Sequence, residues 1–206
     1  MNETGRVEAF SDGVFAIAIT LLVLEIKVPE TGHGESLWSA LGDLWPSYTA
    51  YVVSFLVIGI IWMNHHQVIG HLARIDRAAM FLNLMLLMVV AALPWPTSVV
   101  AAYLREGDDA KTAMAVYGGF MVLFSVIFWT FWWYVTRRGH LFRPTVDIDA
   151  ARATRRRFGL GLLIYPMTVG LAFASAVGTL ILHGLLALYY AFNQLPVPTK
   201  PQDTAV

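Results

Sequence analysis

The chain has no cysteine among its 206 residues, which excludes disulfides, zinc-thiolate sites and cysteine nucleophiles and leaves the redox compartment unread. Charge is scarce. Asp, Glu, Lys and Arg make up 14% of the chain and hydrophobic residues 57%, where soluble domains carry about 25% and about 45–50%. Mean hydropathy is +0.61. Formal net charge is zero, so there is no basic surplus for nucleic acid or an acidic substrate. A basic leader is missing too: Glu3, Glu8 and Asp12 occupy its place, and the first residues do not read as a signal peptide. No Thr-Val-Gly-Tyr-Gly filter, arginine-rich voltage sensor, Walker motif or Gly-x-Ser-x-Gly elbow occurs, and Tyr117-Gly118-Gly119 lies within an apolar run without a filter's flanking residues. With neither a nucleophile–base constellation nor a chelating pair, the chain does not read as an enzyme.

What remains is long uncharged runs. About 20 mostly apolar residues are needed to cross roughly 30 Å of hydrocarbon as a helix. Leu44 to Ala73, Ala78 to Leu104 and Thr112 to Thr136 contain no Asp, Glu, Lys or Arg, and each suits one crossing. Phe158 to Thr199 is also uncharged and too long for one helix at about 1.5 Å per residue; a split near Gly178 makes two. The runs show no period-2 alternation, which argues against strands. The first apolar segment is the odd one. Its uncharged core, Gly13 to Leu24, is short, with Glu8, Ser11 and Asp12 on the entry turns. It spans only if that polar end lies in protein or water, because a carboxylate facing lipid is costly. The expected fold is therefore an all-α integral membrane protein of six spans, over about residues 7–27, 46–70, 78–102, 112–136, 157–177 and 179–195.

Loop charge sets the orientation. One side would hold eleven basic residues (Arg6, Arg74, Arg77, Arg137, Arg138, Arg143, Arg152, Arg155, Arg156, Arg157 and Lys200) and the other three, Lys27, Arg105 and Lys111. Both termini are thus expected in the cytoplasm. Trp38, Trp45, Tyr48, Tyr189 and Tyr190 fall at expected membrane interfaces, and Phe128 to Tyr134 is an aromatic belt in preference to a ligand cage. Gly170, Ala174 and Gly178 are four apart, which permits close helix packing. The proline-rich residues 196–206 are expected to be a disordered cytoplasmic tail.

Polar side chains inside such helices each need a reason. Arg6 and Asp12 are six apart, about 120° around a helix, so their partners should come from other helices. Trp62, Asn64, His65, His66 and His71 close the second span, and Asn83 begins the third, at the same expected depth. A buried network of Arg6, Ser11, Asp12, Trp62, His65 or His66 and Asn83 follows. A hydrogen-bonded clasp outweighs a proton relay or a metal site as its reading. Adjacent His65 and His66 point about 100° apart and cannot chelate one ion as an i, i+4 pair can. Along the first helix Ile17, Leu21 and Leu24 form an ordinary apolar stripe, with Thr20 beside it.

The segment Arg6-Val-Glu-Ala-Phe10-Ser11-Asp12, running on through Ile17, Thr20, Leu21 and Leu24, resembles the signature of the transmembrane protein 175 family. Trp62-Met-Asn-His65-His66 and the six-span layout extend the resemblance over essentially the whole chain. It is the combination that is specific, since Phe10-Ser11-Asp12 alone is a weak pattern. The family comprises potassium-selective cation channels of lysosomes and bacteria, and a single six-helix repeat resembles its bacterial members. The resemblance implies a homotetramer around a central pore in a bacterial inner membrane, with the bilayer and permeant K⁺ as partners and no cofactor. It implies that Ile17 forms the main constriction, Leu21 and Leu24 further apolar rings, and Thr20 a polar contribution to selectivity. Arg6, Phe10, Ser11, Asp12, Trp62, His65, His66 and Asn83 would form a structural polar network. The alternative from the residues is a proton-coupled secondary transporter titrating Asp12 and His65 or His66, although transporters favour broken helices near the midplane.

Overall fold

The computed structural model describes residues 3–31 and 36–192. The residues assigned to the tail, 196–206, and the end of the last expected span lie outside them. The described residues form helices and connecting turns. α1 (Glu3–Leu21) passes into a 3-10 turn at Leu22–Glu25. A short α2 (Leu37–Asp43) precedes α3 (Trp45–Gly70), and α4 (Arg77–Ala92) leads into α5 (Pro94–Tyr103). α6 (Asp108–Arg137) is the longest at 30 residues. After it come α7 (Ile148–Ala153), α8 (Arg155–Phe158), α9 (Gly161–Ala172) and α10 (Ala176–Phe192).

Four stretches are long and apolar enough to cross a membrane: Thr4–Glu25, Trp45–Gly70, Arg77–Tyr103 and Asp108–Arg137. The third contains both α4 and α5. Leu93, at their junction, keeps helical angles (φ −58°, ψ −32°), while Pro94 and Pro96 lack the amide protons that continuous bonding needs, so the helix is interrupted without turning back. α9 and α10 are apolar but shorter, at 12 and 17 residues.

The break between α9 and α10 lies at residues 173–175, ahead of the expected split at Gly178. Ser175 accounts for the shift: its Oγ accepts the Gly178 amide at 3.1 Å, capping α10 from its first turn and drawing Gly178 into the helix. The Gly170, Ala174, Gly178 series does not serve close packing within the chain. All three are exposed, and Gly170 faces open space. The tight approaches occur elsewhere. A Cβ at Gly118 would lie 2.9 Å from Val169 Cγ2, and one at Gly161 would lie 3.2 Å from Ser125 Cβ, both between α6 and α9.

α3 and α6 are the central columns. α6 packs against α9, α4 and α5, while α3 packs against α5, α10 and α1. Trp132, Tyr117, Phe131, Ile58, Leu86 and Met114 fill the interior. At one end the α3–α4 turn is stitched to the segment after α6: the Ala73 amide donates to Leu141 O at 2.8 Å and the Arg143 amide to His71 O at 3.0 Å. Asp76 caps α4 there, its Oδ1 accepting the Ala79 amide at 2.9 Å and its Oδ2 the Tyr134 hydroxyl at 2.7 Å. Partial burial pushes the Asp76 carboxyl up, yet the Ala79 amide, the Tyr134 hydroxyl and the Arg138 charge together hold it below its ordinary value. At the opposite end Arg105 pairs with Asp43 at 3.0 Å.

Candidate functional site

α1 lies at the edge of the bundle, touching α3 and α4 with one side only. Ser11, Phe15, Ala18 and Leu22 are buried on that side. The repeat of three and four residues is that of one helical face. The opposite face is bare and carries Arg6, Phe10, Gly13, Ile17, Thr20, Leu21 and Leu24. Ile17 is 61% exposed and Leu24 70%. The Thr20 hydroxyl is turned onto its own helix, 2.9 Å from both Ala16 O and Ile17 O. Among the four long apolar stretches, the one holding α1 is the least buried.

The polar end of α1 meets two separate networks. In the outer one the Trp62 Nε1–H donates to Asp12 Oδ1 at 2.8 Å. His66 Nδ1 stands 3.4 Å from Glu8 Oε1 and 3.9 Å from Asp12 Oδ1, and the His66 and Trp62 rings lie 5.7 Å apart. The inner network is buried. His65 Nε2 lies 2.7 Å from Asn83 Oδ1, the Asn83 amide donates to Ser11 Oγ at 3.1 Å, and the Ser11 hydroxyl donates to Val7 O at 2.8 Å. An amide oxygen can only accept, so His65 carries its proton on Nε2. The roughly 100° between successive helical residues assigns the adjacent histidines to different networks.

The structure thus brings together Ser11, Asp12, Trp62, His65, His66 and Asn83. It does not bring in Arg6 or Phe10. Both lie on the bare face of α1, where Arg6 makes no hydrogen bond or ion pair with another described residue; helical phase points it away from Asp12. Arg6 and Phe10 instead border a groove of about 640 Å³ between α1 and α4, with Arg77, Met80 and Leu84 on its far side. His71 bonds Gln67 O at 2.6 Å and Asn64 bonds Ile60 O at 3.0 Å, so both are satisfied by their own helix. A smaller apolar cavity of about 330 Å³ separates α1 from α3, with Asp12 and Trp62 at one end.

A second buried polar system has no spacing pattern in the sequence. The Ser54 hydroxyl lies 2.8 Å from Thr97 Oγ1 and 3.2 Å from the Tyr117 hydroxyl, joining α3, α5 and α6. His183 Nδ1 donates to Thr179 O at 2.9 Å, its Nε2 lies 3.3 Å from Thr168 Oγ1, and Tyr117 meets its ring edge-on at 5.3 Å. The available signal was a lone histidine in a long uncharged run, a group that a membrane interior does not hold without a partner.

Comparison with known proteins bears on this arrangement. Residues 6–94 match the family model described as endosomal/lysosomal potassium channel TMEM175. A protein of Streptomyces collinus named a potassium channel is 66% identical over 200 residues, covering 97% of each chain. The chain belongs to the TMEM175 family. A TMEM175 relative of Chamaesiphon minutus, also named a potassium channel, is 40% identical across 93% of this chain and 95% of its own. The crystal structure described as a lysosomal potassium-selective channel TMEM175 homolog from that organism superimposes with a TM-score of 0.83 at 38% identity, over 94% of this chain and 98% of that one. The segment that the TMEM175 model matches runs from Arg6 to Pro94, and so contains the bare face of α1 and every residue of its two polar networks.

Proposed function

We propose that four copies of this chain form a potassium-selective cation channel in a bacterial inner membrane, with α1 of each subunit lining the pore. The bare face of α1 carries this reading. A membrane-spanning helix held on one side by buried polar contacts, with Ile17, Leu21 and Leu24 uncovered on the other, is shaped to meet its own copies around an axis. Ile17 forms the narrowest ring, Leu21 and Leu24 further rings, and Thr20 the polar contribution. Such an apolar constriction gates by dewetting. A cation passing it sheds water, and K⁺ loses water more cheaply than Na⁺. No cofactor and no catalysis enter this scheme, and K⁺ is cargo.

Residues 1–195 act as one unit of six crossings with both termini in the cytoplasm. The basic turns around Arg74, Arg77, Arg138 and Arg143 sit at the end where the backbone stitches α3–α4 to the segment after α6, and positive loops favour the cytoplasmic side. The fifth crossing joins α8 to α9 through the Gly159 amide bonding Arg155 O at 2.9 Å and the Leu162 amide bonding Gly159 O at 3.0 Å. Residues 157–172 then make a helical path of about 24 Å, somewhat under the hydrocarbon thickness, with Arg155 and Arg156 ahead of it.

Purified protein in planar bilayers under a K⁺/Na⁺ gradient tests the scheme. Unitary steps reversing toward the K⁺ potential are expected. Slow, pH-dependent flux without steps would replace the channel with a proton-coupled carrier using Asp12 and His65 or His66.

A further inference from the structure

At the end of the bundle that holds the basic turns, α6 and the α8–α9 path border a shallow, open groove of about 280 Å³ that the pore scheme does not use. Trp129, Arg155, Arg156, Gly159, Leu160 and Leu163 line it. Its lining runs from charged to apolar. The guanidinium-bearing residues stand at the mouth, and Leu160 and Leu163, exposed at 47% and 67%, continue into the apolar zone. Trp129, stacked on Trp133 with ring centroids 6.5 Å apart, forms the wall between them. Gly159 keeps that wall accessible, because a Cβ there would lie 3.3 Å from Trp129 Nε1.

The charge at the mouth is not neutralised. Arg152 is paired with Asp149 at 2.9 Å, whereas Arg155 donates its Nε–H to the neutral Thr136 Oγ1 at 2.8 Å. Neither Arg155 nor Arg156 has a carboxylate partner among the described residues. The like charges of Arg152 and Arg137 bear on Arg155, so an anion placed there relieves repulsion within the protein as well as gaining attraction. A soluble anion would meet only the mouth. A molecule with a phosphate at the head and an alkyl chain below matches both halves of the groove.

We infer that this groove is a binding site for an anionic phospholipid of the cytoplasmic leaflet, with its phosphate held by Arg155 and Arg156 and an acyl chain lying along Leu160 and Leu163. Guanidinium is suited to the role because its planar donors address two phosphate oxygens together. Basic pockets between helices at this depth favour anionic headgroups. The site depends on membrane placement and stands independently of conduction.

Native mass spectrometry of the purified full chain, titrated with phosphatidylglycerol or phosphatidylcholine, is the test. Phosphatidylglycerol should bind more tightly than phosphatidylcholine, and R156Q should weaken it about fivefold, the loss expected per basic residue near an anionic surface. R155Q/R156Q should bring the two lipids close to parity. R156Q alone keeps the test decisive if the double variant misfolds, because Arg155 also holds Thr136. Equal binding of the two lipids, or unchanged phosphatidylglycerol binding in R156Q, overturns the site. Displacement of phosphatidylglycerol by an equal concentration of inorganic phosphate would show a free-anion site and overturn the lipid assignment.

Discussion

The Trp62 indole donates to the Asp12 carboxylate at 2.8 Å across a separation of 50 residues, and with that bond α3 holds the polar end of α1. Hydrogen bonds to charged groups contribute about 1.5–3 kcal/mol, and partial exposure of Asp12 places this one toward the lower end. W62F and D12A should each lower the unfolding midpoint and reduce the yield of the proposed tetramer on size exclusion. The double variant should lose little more than either single one, as expected for residues sharing one contact. Fully additive losses would remove the bond from the account of stability.

Ile17 is the position at which side-chain volume should control current. On the proposed pore axis, I17A and I17N widen the ring or make it wettable, and single-channel conductance should rise severalfold with weaker discrimination between K⁺ and Na⁺. A18S, on the buried face, serves as the comparison and should leave conductance unchanged. Wild-type current from I17N would take the constriction away from this residue.

Asp76 links stability to acidity outside the membrane. Its folded-state value lies below the ordinary carboxylate value, which is about 3.9. The sign follows: its contribution is fully present above about pH 4 and fades as pH falls through the folded-state value. D76A removes the α4 cap, costing about 1 kcal/mol near neutral pH, and D76N should flatten part of the acid limb of a melting-temperature profile. An acid limb identical in wild type and D76N would exclude this carboxylate as its source.

Two adjacent glycines should respond in opposite ways. G118A would place a methyl 2.9 Å from Val169 Cγ2, and such overpacking typically costs about 1–3 kcal/mol. G119A meets nothing within 4 Å and should be neutral or stabilising by up to about 1 kcal/mol through helix propensity. Chemical-denaturation midpoints of the two variants in one detergent make the comparison. Similar midpoints would show that α6 and α9 can part without loss.

The gaps between charges made α3, the joined α4 and α5, and α6 readable as long helices, because burying unpaired charge in lipid is costly enough to leave a record in composition. The α9–α10 boundary is not legible in the sequence for the opposite reason. Ser175 and Gly178 are both weak breakers, and only the capping bond shows that Ser175 ends the turn while Gly178 joins the helix. Matching polar residues by depth placed Asp12 near Trp62 and Ser11 near Asn83. Depth says nothing about azimuth, and so it groups Arg6 with residues it faces away from; Phe10 joins that group only through the resemblance. Ser54, Thr97, Tyr117 and His183 are single polar groups in separate apolar runs; no spacing relates them before the helices pack.

Ser11 and Asp12 are consecutive, yet one is tied to α4 through Asn83 and the other to α3 through Trp62. Two tethers on different bearings key α1 like a shaft in a slot, because a turn that slackens one strains the other. Ile17 has Ala16 and Ala18 on either side, so rotation by one residue, about 100°, would replace its branched side chain with a methyl. In the proposed tetramer the aperture would therefore depend on the angle of this helix more than on its position. Motion at the polar end of α1 while both tethers hold would draw Trp62 of α3 and Asn83 of α4 with it.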